Sequence, residues 1–260
     1  PTQVCGSQQP MNNLPKSPMI GEVRNQELLS SATSYVYKQT PAGDLLAHFF
    51  FPPDFNYEVD RRPMVIFFHG GLWDITAATQ FVPHCHHFAS RGMVAATVEY
   101  RTKALKDGTP EDAITDAKDA ITFFKVHAAS MGIDPERIVA IGASAGGNAV
   151  LSAALHPHKT EDGPSPRPCA MILFGPISDT TTKGIGNEFF ANPKDGKLLS
   201  PSSHLPQKGL PPASFSMASP TASSLSNSPS VSQNDTAASA TAANSWNSKT
   251  PVTPSSITTP

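Results

Sequence analysis

Short apolar runs alternate with helix-like stretches between Tyr35 and Pro212. The runs lack polar alternation, which is typical of strands buried on both faces by helices, and they occupy residues 45–51, 64–68, 93–98, 138–141 and 171–174. Helices are predicted between them, at residues 81–91, 110–130 and 144–155, and the second has apolar residues at the helical period. Strands that alternate with helices predict an α/β fold with a doubly wound, mostly parallel sheet.

Composition divides the chain into three parts. Residues 1–34 are predicted to form a largely irregular extension, residues 35–213 the α/β domain, and residues 214–260 a Ser/Thr/Pro-rich tail. Ser, Thr, Ala and Pro supply 33 of those last 47 residues, and only Asp235 and Lys249 are charged. Such a segment buries too little apolar surface to offset its ordering entropy, so we expect it to be disordered.

Charge and hydropathy argue against several protein classes. The formal net charge is −2 and charged residues make up 15% of the chain, against roughly 25% in an ordinary soluble domain. A basic nucleic-acid-binding protein is therefore not expected. The sequence contains no run of about 18 apolar residues, so no membrane span is predicted. Residues 1–31 lack the pattern of a signal peptide. The first residue is Pro1 rather than Met, so a leader removed earlier is left open. The sequence therefore indicates no compartment.

The sequence GASAG at residues 142–146 matches the pattern G-x-S-x-G. It follows the predicted strand 138–141 and opens the predicted helix 144–155, which is the context of a nucleophile elbow. A sharp strand-to-helix turn of this kind exposes the hydroxyl of Ser144 at a helix N-terminus, where the helix dipole favours developing negative charge. Read alone, the motif also fits a glycine-rich turn with an idle serine.

A second motif, HGGLW at residues 69–73, follows the predicted strand 64–68. A His-Gly-Gly segment after a strand supplies oxyanion-hole donors in one class of hydrolases, because glycine lets backbone N–H groups approach the developing oxyanion. The expected donors are the N–H groups of Gly71, Leu72 and Ala145. His69 is expected to shape the loop by hydrogen bonding rather than to act as an acid or base.

These motifs, with residues 92–94, 98–101 and 132–138 and the helix beginning at Asp112, resemble those of α/β-hydrolase lipases and esterases. The branch is the one related to hormone-sensitive lipase and small acetyl-esterases, and the resemblance covers about residues 35–212. It implies a triad of Ser, acid and His in that chain order, short acyl esters as substrates, and no cofactor. One departure is Leu72, where the family usually has a third glycine, although a backbone N–H remains there.

The triad acid and base of the family are missing from the expected places. After the segment 209–212 the family has another strand, then His-Gly-x-x-Asp and later Gly-His, and neither motif occurs here. The composition changes abruptly after Pro212, and a shifted reading frame permits both motifs from that point. We therefore predict a frameshifted C-terminus, a sheet that lacks its last strands, and an exposed apolar sheet edge.

Two residues in the written frame are weaker candidates for the missing roles. Asp179 follows the strand 171–174 and His204 lies further along the chain, so the order Ser144, Asp179, His204 is formally possible. The alternative is that Asp179 caps a turn and His204 lies on a surface loop.

Other polar residues have structural interpretations that compete with functional ones. His84 and His87 share a helical face, but no carboxylate or second ligand cluster lies nearby, and three cysteines match no zinc spacing, so no metal is expected. Tyr100 and Arg101 are expected to make structural hydrogen bonds, and Trp73 is a candidate for lining an acyl pocket. Three aspartates of the helix 110–130 are expected to form its solvated face: Asp112, Asp116 and Asp119.

The sequence thus predicts a serine hydrolase that cleaves small-molecule carboxylic esters through Ser144 and an oxyanion hole. Because the triad acid and base motifs are missing, a catalytically dead remnant or a non-catalytic binding protein is the alternative. A peptidase of the same fold is a further one, although the His-Gly-Gly loop favours esterases.

Overall fold

The computed structural model describes residues 22–156, 163–205 and 208–216. Seven strands and five α-helices follow one another along these residues. The strands are β1 (Thr33–Thr40), β2 (Gly43–Phe50), β3 (Arg62–Phe68), β4 (Val94–Val98), β5 (Ile133–Ala143), β6 (Ala170–Phe174) and β7 (Ala213–Ser216). The helices are α1 (Glu22–Leu29), α2 (Val82–Ala89), α3 (Pro110–Val126), α4 (Ala145–Leu155) and α5 (Pro193–Leu198). Short 3-10 helices occupy Ala78–Phe81, Asn187–Phe189 and Pro201–Ser203.

The strands form one mixed sheet in the order β1-β2-β4-β3-β5-β6-β7. β1 pairs antiparallel with β2, and β2 with β4, whereas every other neighbouring pair is parallel. One core cluster joins α3 and α4 to one sheet face, and a second joins α2 to the other. Helices on both faces of a mostly parallel sheet confirm the doubly wound prediction.

The central strands owe their position to their apolar sequences. All five residues of β4 are buried, and so are the last five residues of β3, which lies between β4 and β5. A strand covered by helices on both faces has no solvent side, and therefore needs no polar alternation. The register pairs Phe68 with Gly142, so β3 and β5 end side by side at the carboxyl edge of the sheet.

Helix α3 begins with a capping box. The Thr109 side chain accepts a hydrogen bond from the Asp112 backbone N–H, while the Asp112 carboxylate accepts one from the Thr109 backbone N–H. Pro110 follows at the first helical position, where its missing N–H costs nothing. These residues fix the helix start where the sequence predicts it, although the helix ends at Val126 rather than at residue 130.

Asp116 corrects the interpretation of the α3 surface. Its side chain is fully buried, and it accepts hydrogen bonds from the Arg101 guanidinium at 2.8 and 2.9 Å and from the Lys38 ammonium at 2.6 Å. The expectation that this aspartate lies on a solvated helix face is therefore wrong. Residues three and four positions away on α3, Ala113 and Ala120, are buried too, and that helical spacing is the signal that could have revealed it.

Both predicted terminal segments contain regular structure. Helix α1 and the start of β1 lie within residues 1–34, which were expected to be largely irregular. Strand β7 pairs in parallel with β6, so residues 214–216 of the predicted tail continue the sheet by one strand. The predictions for residues 1–21 and 217–260 lie outside the described residues.

The outer edge of the sheet exposes apolar side chains. Phe174 on β6 is 39% exposed, and Phe215 on β7 is 53% exposed. Apolar side chains are thus exposed at this end of the sheet, as predicted, although the edge strand is β7, one strand further out than expected. Among the helices of the described ranges, none combines the length and apolarity that crossing a bilayer would require.

Candidate active site

Ser144 occupies the sharp turn between β5 and α4. Its φ of 50° and ψ of −115° lie outside the regions that a residue with a side chain normally adopts. The turn is held from both sides, because the Ser144 N–H donates to the Phe174 carbonyl at 2.9 Å and the Ser144 carbonyl accepts from Asn148 at 3.0 Å and Ile177 at 3.2 Å. The Ser144 side chain is partly exposed, and within the described residues its hydroxyl makes no hydrogen bond.

Two glycines allow the turn to pack this closely. A Cβ on Gly146 would lie 2.3 Å from the carbonyl oxygens of both Phe68 and His69, and a Cβ on Gly142 would lie 2.5 Å from the Gly146 carbonyl oxygen. Since real Cβ atoms do not approach so closely, only glycine fits at these positions. The helix therefore begins directly against the end of β3.

The segment 69–73, the HGG loop, lies beside this turn. A Cβ built on Gly70 would be 3.4 Å from the Cβ of Ser144, and the Gly70 N–H donates to the Gln80 side chain at 2.8 Å. The prediction that Ser144 ends a strand at the carboxyl edge of the sheet, facing the HGG loop, is confirmed.

Three successive residues of the HGG loop have positive φ. The values are 136° at Gly71, 54° at Leu72 and 58° at Trp73. The Gly71 carbonyl accepts hydrogen bonds from the N–H groups of Asp74 at 2.9 Å and Ile75 at 3.2 Å, which closes a tight turn. The loop is thus a compact, left-handed structure rather than an extended connection.

Three backbone N–H groups, two in the HGG loop and one at the start of α4, lack a hydrogen-bond acceptor in the part of the chain that the structure describes. No residue in the described ranges accepts a hydrogen bond from the N–H of Gly71, Leu72 or Ala145. Ala145 is the first residue of α4, and the first N–H groups of a helix have no partner within it. These are the three groups that the sequence predicts as oxyanion-hole donors.

His69 is a buried structural residue. Its ring is fully buried and stacks on Tyr100 with centroids 4.3 Å apart, and the Tyr100 hydroxyl donates to the His69 carbonyl at 2.7 Å. Burial lowers the pKa of His69 to about 4, so the ring is neutral at pH 7. Both residues hold the HGG loop against the sheet, as the sequence predicts for each of them.

Trp73 is only 1% exposed. Its ring packs against Phe189 and Phe190, each with a centroid separation of 6.2 Å, and lies against Gly186. Trp73 therefore joins the HGG loop to the segment after β6 rather than facing solvent. Sequence analysis did not identify these three partners, because no local pattern indicates which residues meet a loop more than 100 positions away.

The candidate triad of Ser144, Asp179 and His204 does not come together in the structure. Asp179 accepts a hydrogen bond from the Thr181 N–H at 2.9 Å, so it caps its own turn. The His204 ring lies 4.2 Å from the ring of His156, at the far end of α4. At 1.5 Å per residue, the twelve residues from Ser144 to His156 span about 18 Å. This candidate triad is therefore wrong.

The two histidines that share a face of α2, His84 and His87, pack on aromatic rings. The His84 ring lies 5.3 Å from that of Phe81, and the His87 ring lies 5.7 Å from that of Phe88. Across the described part of the chain, no three His, Cys, Asp or Glu side chains are grouped in a way that could hold a metal ion.

Comparison with known proteins points to esterases. The BD-FAE family model matches residues 52–171. Esterase 2 of Thermogutta terrifontis is 34% identical with a TM-score of 0.65, and the match covers 72% of this chain and 71% of that one. That esterase has been solved with propionate and with butyrate bound.

Several curated relatives are also esterases by name, but they are much longer than the matched region. "Probable isoprenylcysteine alpha-carbonyl methylesterase ICMEL1" of Oryza sativa subsp. japonica is 33% identical over 130 residues, which are 50% of this chain and 29% of that protein. Carboxylesterase NlhH of Mycobacterium tuberculosis is 32% identical over 107 residues, 40% of this chain and 32% of that protein. The match therefore spans less than a third of either relative.

The mostly parallel sheet with its helices is similar to that of the solved esterase. The solved esterase shares this fold over most of its own length at 34% identity. The chain therefore belongs to the α/β-hydrolase family of esterases and lipases.

Proposed function

We propose that this protein hydrolyses carboxylic esters with Ser144 as the nucleophile and the N–H groups of Gly71, Leu72 and Ala145 as the oxyanion hole. The observation that carries the proposal is the approach of the HGG loop to Ser144, with a Gly70 Cβ position 3.4 Å from the Ser144 Cβ. Two further observations support it: the three N–H groups have no hydrogen-bond acceptor in the described residues, and the Ser144 side chain is partly exposed.

The reaction follows from this geometry. The Ser144 oxygen attacks the ester carbonyl, and negative charge develops on the carbonyl oxygen in the transition state. The three N–H groups stabilise that charge without reorganising, because the strained turn and loop already hold them. The N-terminus of α4 adds a favourable dipole at the same point. Collapse of the tetrahedral intermediate releases the alcohol, and water then hydrolyses the acyl-enzyme.

A general base must take the Ser144 proton, and the written sequence does not supply it nearby. Strands β5, β6 and β7 are parallel, so the chain that follows Ser216 leaves the sheet at the same edge as Ser144. The triad acid and base of the family would enter there. No histidine follows His204 in the given reading frame. This favours a shifted frame that encodes the missing base. The second candidate is a catalytically dead remnant that lacks it.

Small acyl esters are the proposed substrates. The esterase names of the relatives support an ester, and the propionate and butyrate complexes of the Thermogutta terrifontis esterase support a short acyl group. The alcohol portion is left open by this proposal.

Turnover of p-nitrophenyl acetate tests the nucleophile. We expect Ser144→Ala to lower the rate to that of the uncatalysed reaction and to abolish labelling by a fluorophosphonate probe. Ser152→Ala is the matched control, because Ser152 is a fully buried serine two turns along the same helix with no hydrogen-bond partner for its hydroxyl. It should keep the parent rate. If the parent turns over the ester faster than the uncatalysed reaction and Ser144→Ala does so equally fast, the proposal is refuted; a parent at the uncatalysed rate is tested as the frame-corrected chain.

Comparison of the written chain with a frame-corrected chain separates the enzyme from the remnant. Losing the triad typically costs on the order of 10⁶ in kcat. If the written chain is a remnant, it should show this deficit relative to the corrected one. If the written chain turns over at a normal esterase rate through Ser144, the remnant hypothesis is rejected.

A further inference from the structure

The HGG loop holds a conformation that it would not adopt alone. Leu72 and Trp73 both lie in the left-handed region, with φ of 54° and 58°, where the Cβ of an L-residue crowds the backbone. Strain of this kind persists only where the surroundings over-determine the backbone. The Leu72 side chain is 43% exposed, so its own packing does not hold the peptide. The restraint must come from its neighbours along the loop.

Trp73 is the restrained neighbour. Its carbonyl accepts a hydrogen bond from the Lys103 N–H at 2.7 Å, and the next carbonyl, that of Asp74, accepts one from Ala104 at 2.8 Å. These bonds tie the C-terminal side of the loop to the segment after β4. They restrain the backbone on the carbonyl side of Trp73 and leave the direction of its indole to other contacts.

Gly186 and two phenylalanines supply those contacts. A Cβ on Gly186 would lie 2.5 Å from the Trp73 Cζ3 atom and 3.2 Å from Cη2, so the indole touches bare backbone there. Phe189 and Phe190 pack on the same ring at centroid separations of 6.2 Å. Because the indole is 1% exposed, it cannot move without displacing one of these groups.

We propose that Gly186, Phe189 and Phe190 are positioning residues for the oxyanion hole, acting through Trp73. This inference rests on the proposed function of Ser144. These three residues, called the clamp below, fix the indole of Trp73. The fixed indole in turn holds the peptide bond that precedes Trp73, and so the N–H groups of Leu72 and Gly71. The clamp belongs to the segment after β6, more than 100 residues further along the chain.

Substitution of Gly186 tests the clamp. Gly186→Ala adds a methyl group against the indole, and we expect kcat for p-nitrophenyl acetate to fall about 10- to 100-fold, since small misplacements of catalytic groups have effects of this size. KM should change little, because an interaction made only in the transition state lowers kcat and kcat/KM together. A wider or narrower substrate pocket would instead change KM.

Gly209→Ala is the matched control. Gly209 has a φ of +76°, close to the +86° of Gly186, but an added Cβ there meets nothing within 4 Å. It therefore reproduces the backbone strain without the clash, and it should keep kcat within about twofold of the parent. Trp73→Phe in the Gly186→Ala background removes ring atoms from the clash, and we expect it to restore part of kcat.

Fluorescence supplies a readout that does not depend on turnover. The chain has two tryptophans, so Trp246→Phe leaves Trp73 as the only emitter. Gly186→Ala should shift the Trp73 emission, and Gly209→Ala should not. If Gly186→Ala fails to fold, Phe189→Leu and Phe190→Leu loosen the same clamp, and they should lower kcat without raising KM.

The possible results separate the two proposals. If Gly186→Ala shifts the Trp73 emission but keeps the kcat of Gly209→Ala, the positioning role of the clamp is overturned. A rise in KM without a fall in kcat overturns it as well. A parent whose turnover is unaffected by Ser144→Ala rejects the proposed function and this inference with it. On a parent that depends on Ser144, an unchanged kcat in Gly186→Ala rejects the inference alone.

Discussion

Neutralising Asp116 should destabilise the fold more than any other single charge removal on α3. Its fully buried carboxylate accepts three hydrogen bonds from Arg101, from the backbone N–H, Nε and Nη2, at 2.8 to 2.9 Å, and one from Lys38 at 2.6 Å. The Arg101 side chain is mostly buried as well. Asp116→Asn keeps the shape but leaves a buried guanidinium without its bidentate partner.

The magnitude follows from what the partners retain. Removing one member of a buried ion pair costs about 3–5 kcal/mol. Arg101 keeps its ion pair with Asp112, and Lys38 keeps its contact with Asp119 at 2.6 Å. We therefore expect a loss near the lower end, about 3 kcal/mol, which is a large share of the 5–15 kcal/mol typical of a domain.

Urea unfolding at pH 7 measures the loss, with Asp119→Asn as the control. Asp119 lies one turn along the same helix and contacts the same Lys38, but its side chain is 37% exposed. Pairs of this kind contribute about 0–1 kcal/mol. If the free energy of unfolding falls equally in Asp116→Asn and Asp119→Asn, burial does not determine how much each carboxylate contributes to stability, and the reasoning is wrong.

Three further predictions concern the site and the gene. Because the unfolded chain binds a proton at His69 near pH 6.5 whereas the folded chain does so only near a pKa of about 4, this contribution to stability is present above pH 6.5 and falls as the pH is lowered toward 4. The loss between pH 7 and 5 should be about 2 kcal/mol, and urea unfolding of His69→Asn should show a flatter pH dependence than the parent; parallel curves would contradict this. Gly146→Ala, whose Cβ would lie 2.3 Å from two carbonyl oxygens, should lower the free energy of unfolding by at least about 3 kcal/mol or prevent folding. Gly209→Ala, which adds backbone strain at a φ of +76° but no clash, should lower it by only about 1–2 kcal/mol. Resequencing the gene around the codons for residues 212–214 should reveal a single-base insertion or deletion. If the reading frame there is unbroken, the predicted frameshift is refuted.

The sequence alone determined the central sheet and the two motifs. Strands β3, β4 and β6 were predicted close to their observed bounds, because a strand buried on both faces must be apolar throughout. The turn at Ser144 was predicted because close backbone contact demands glycine at fixed offsets. Both signals are local in the chain, so they survive without knowledge of what lies nearby.

Only the tertiary structure decided the remaining features. Edge strands β1 and β7 have mixed, mostly exposed residues, and long-range pairing rather than composition makes them strands. The pairing of Asp116 with Arg101 and Lys38 depends on two residues that reach it from outside α3. The separation of His204 from Ser144 depends on the length of α4. The contact of Gly186 with Trp73 joins residues more than 100 positions apart. Each depends on distances through space, which no local pattern of residues encodes.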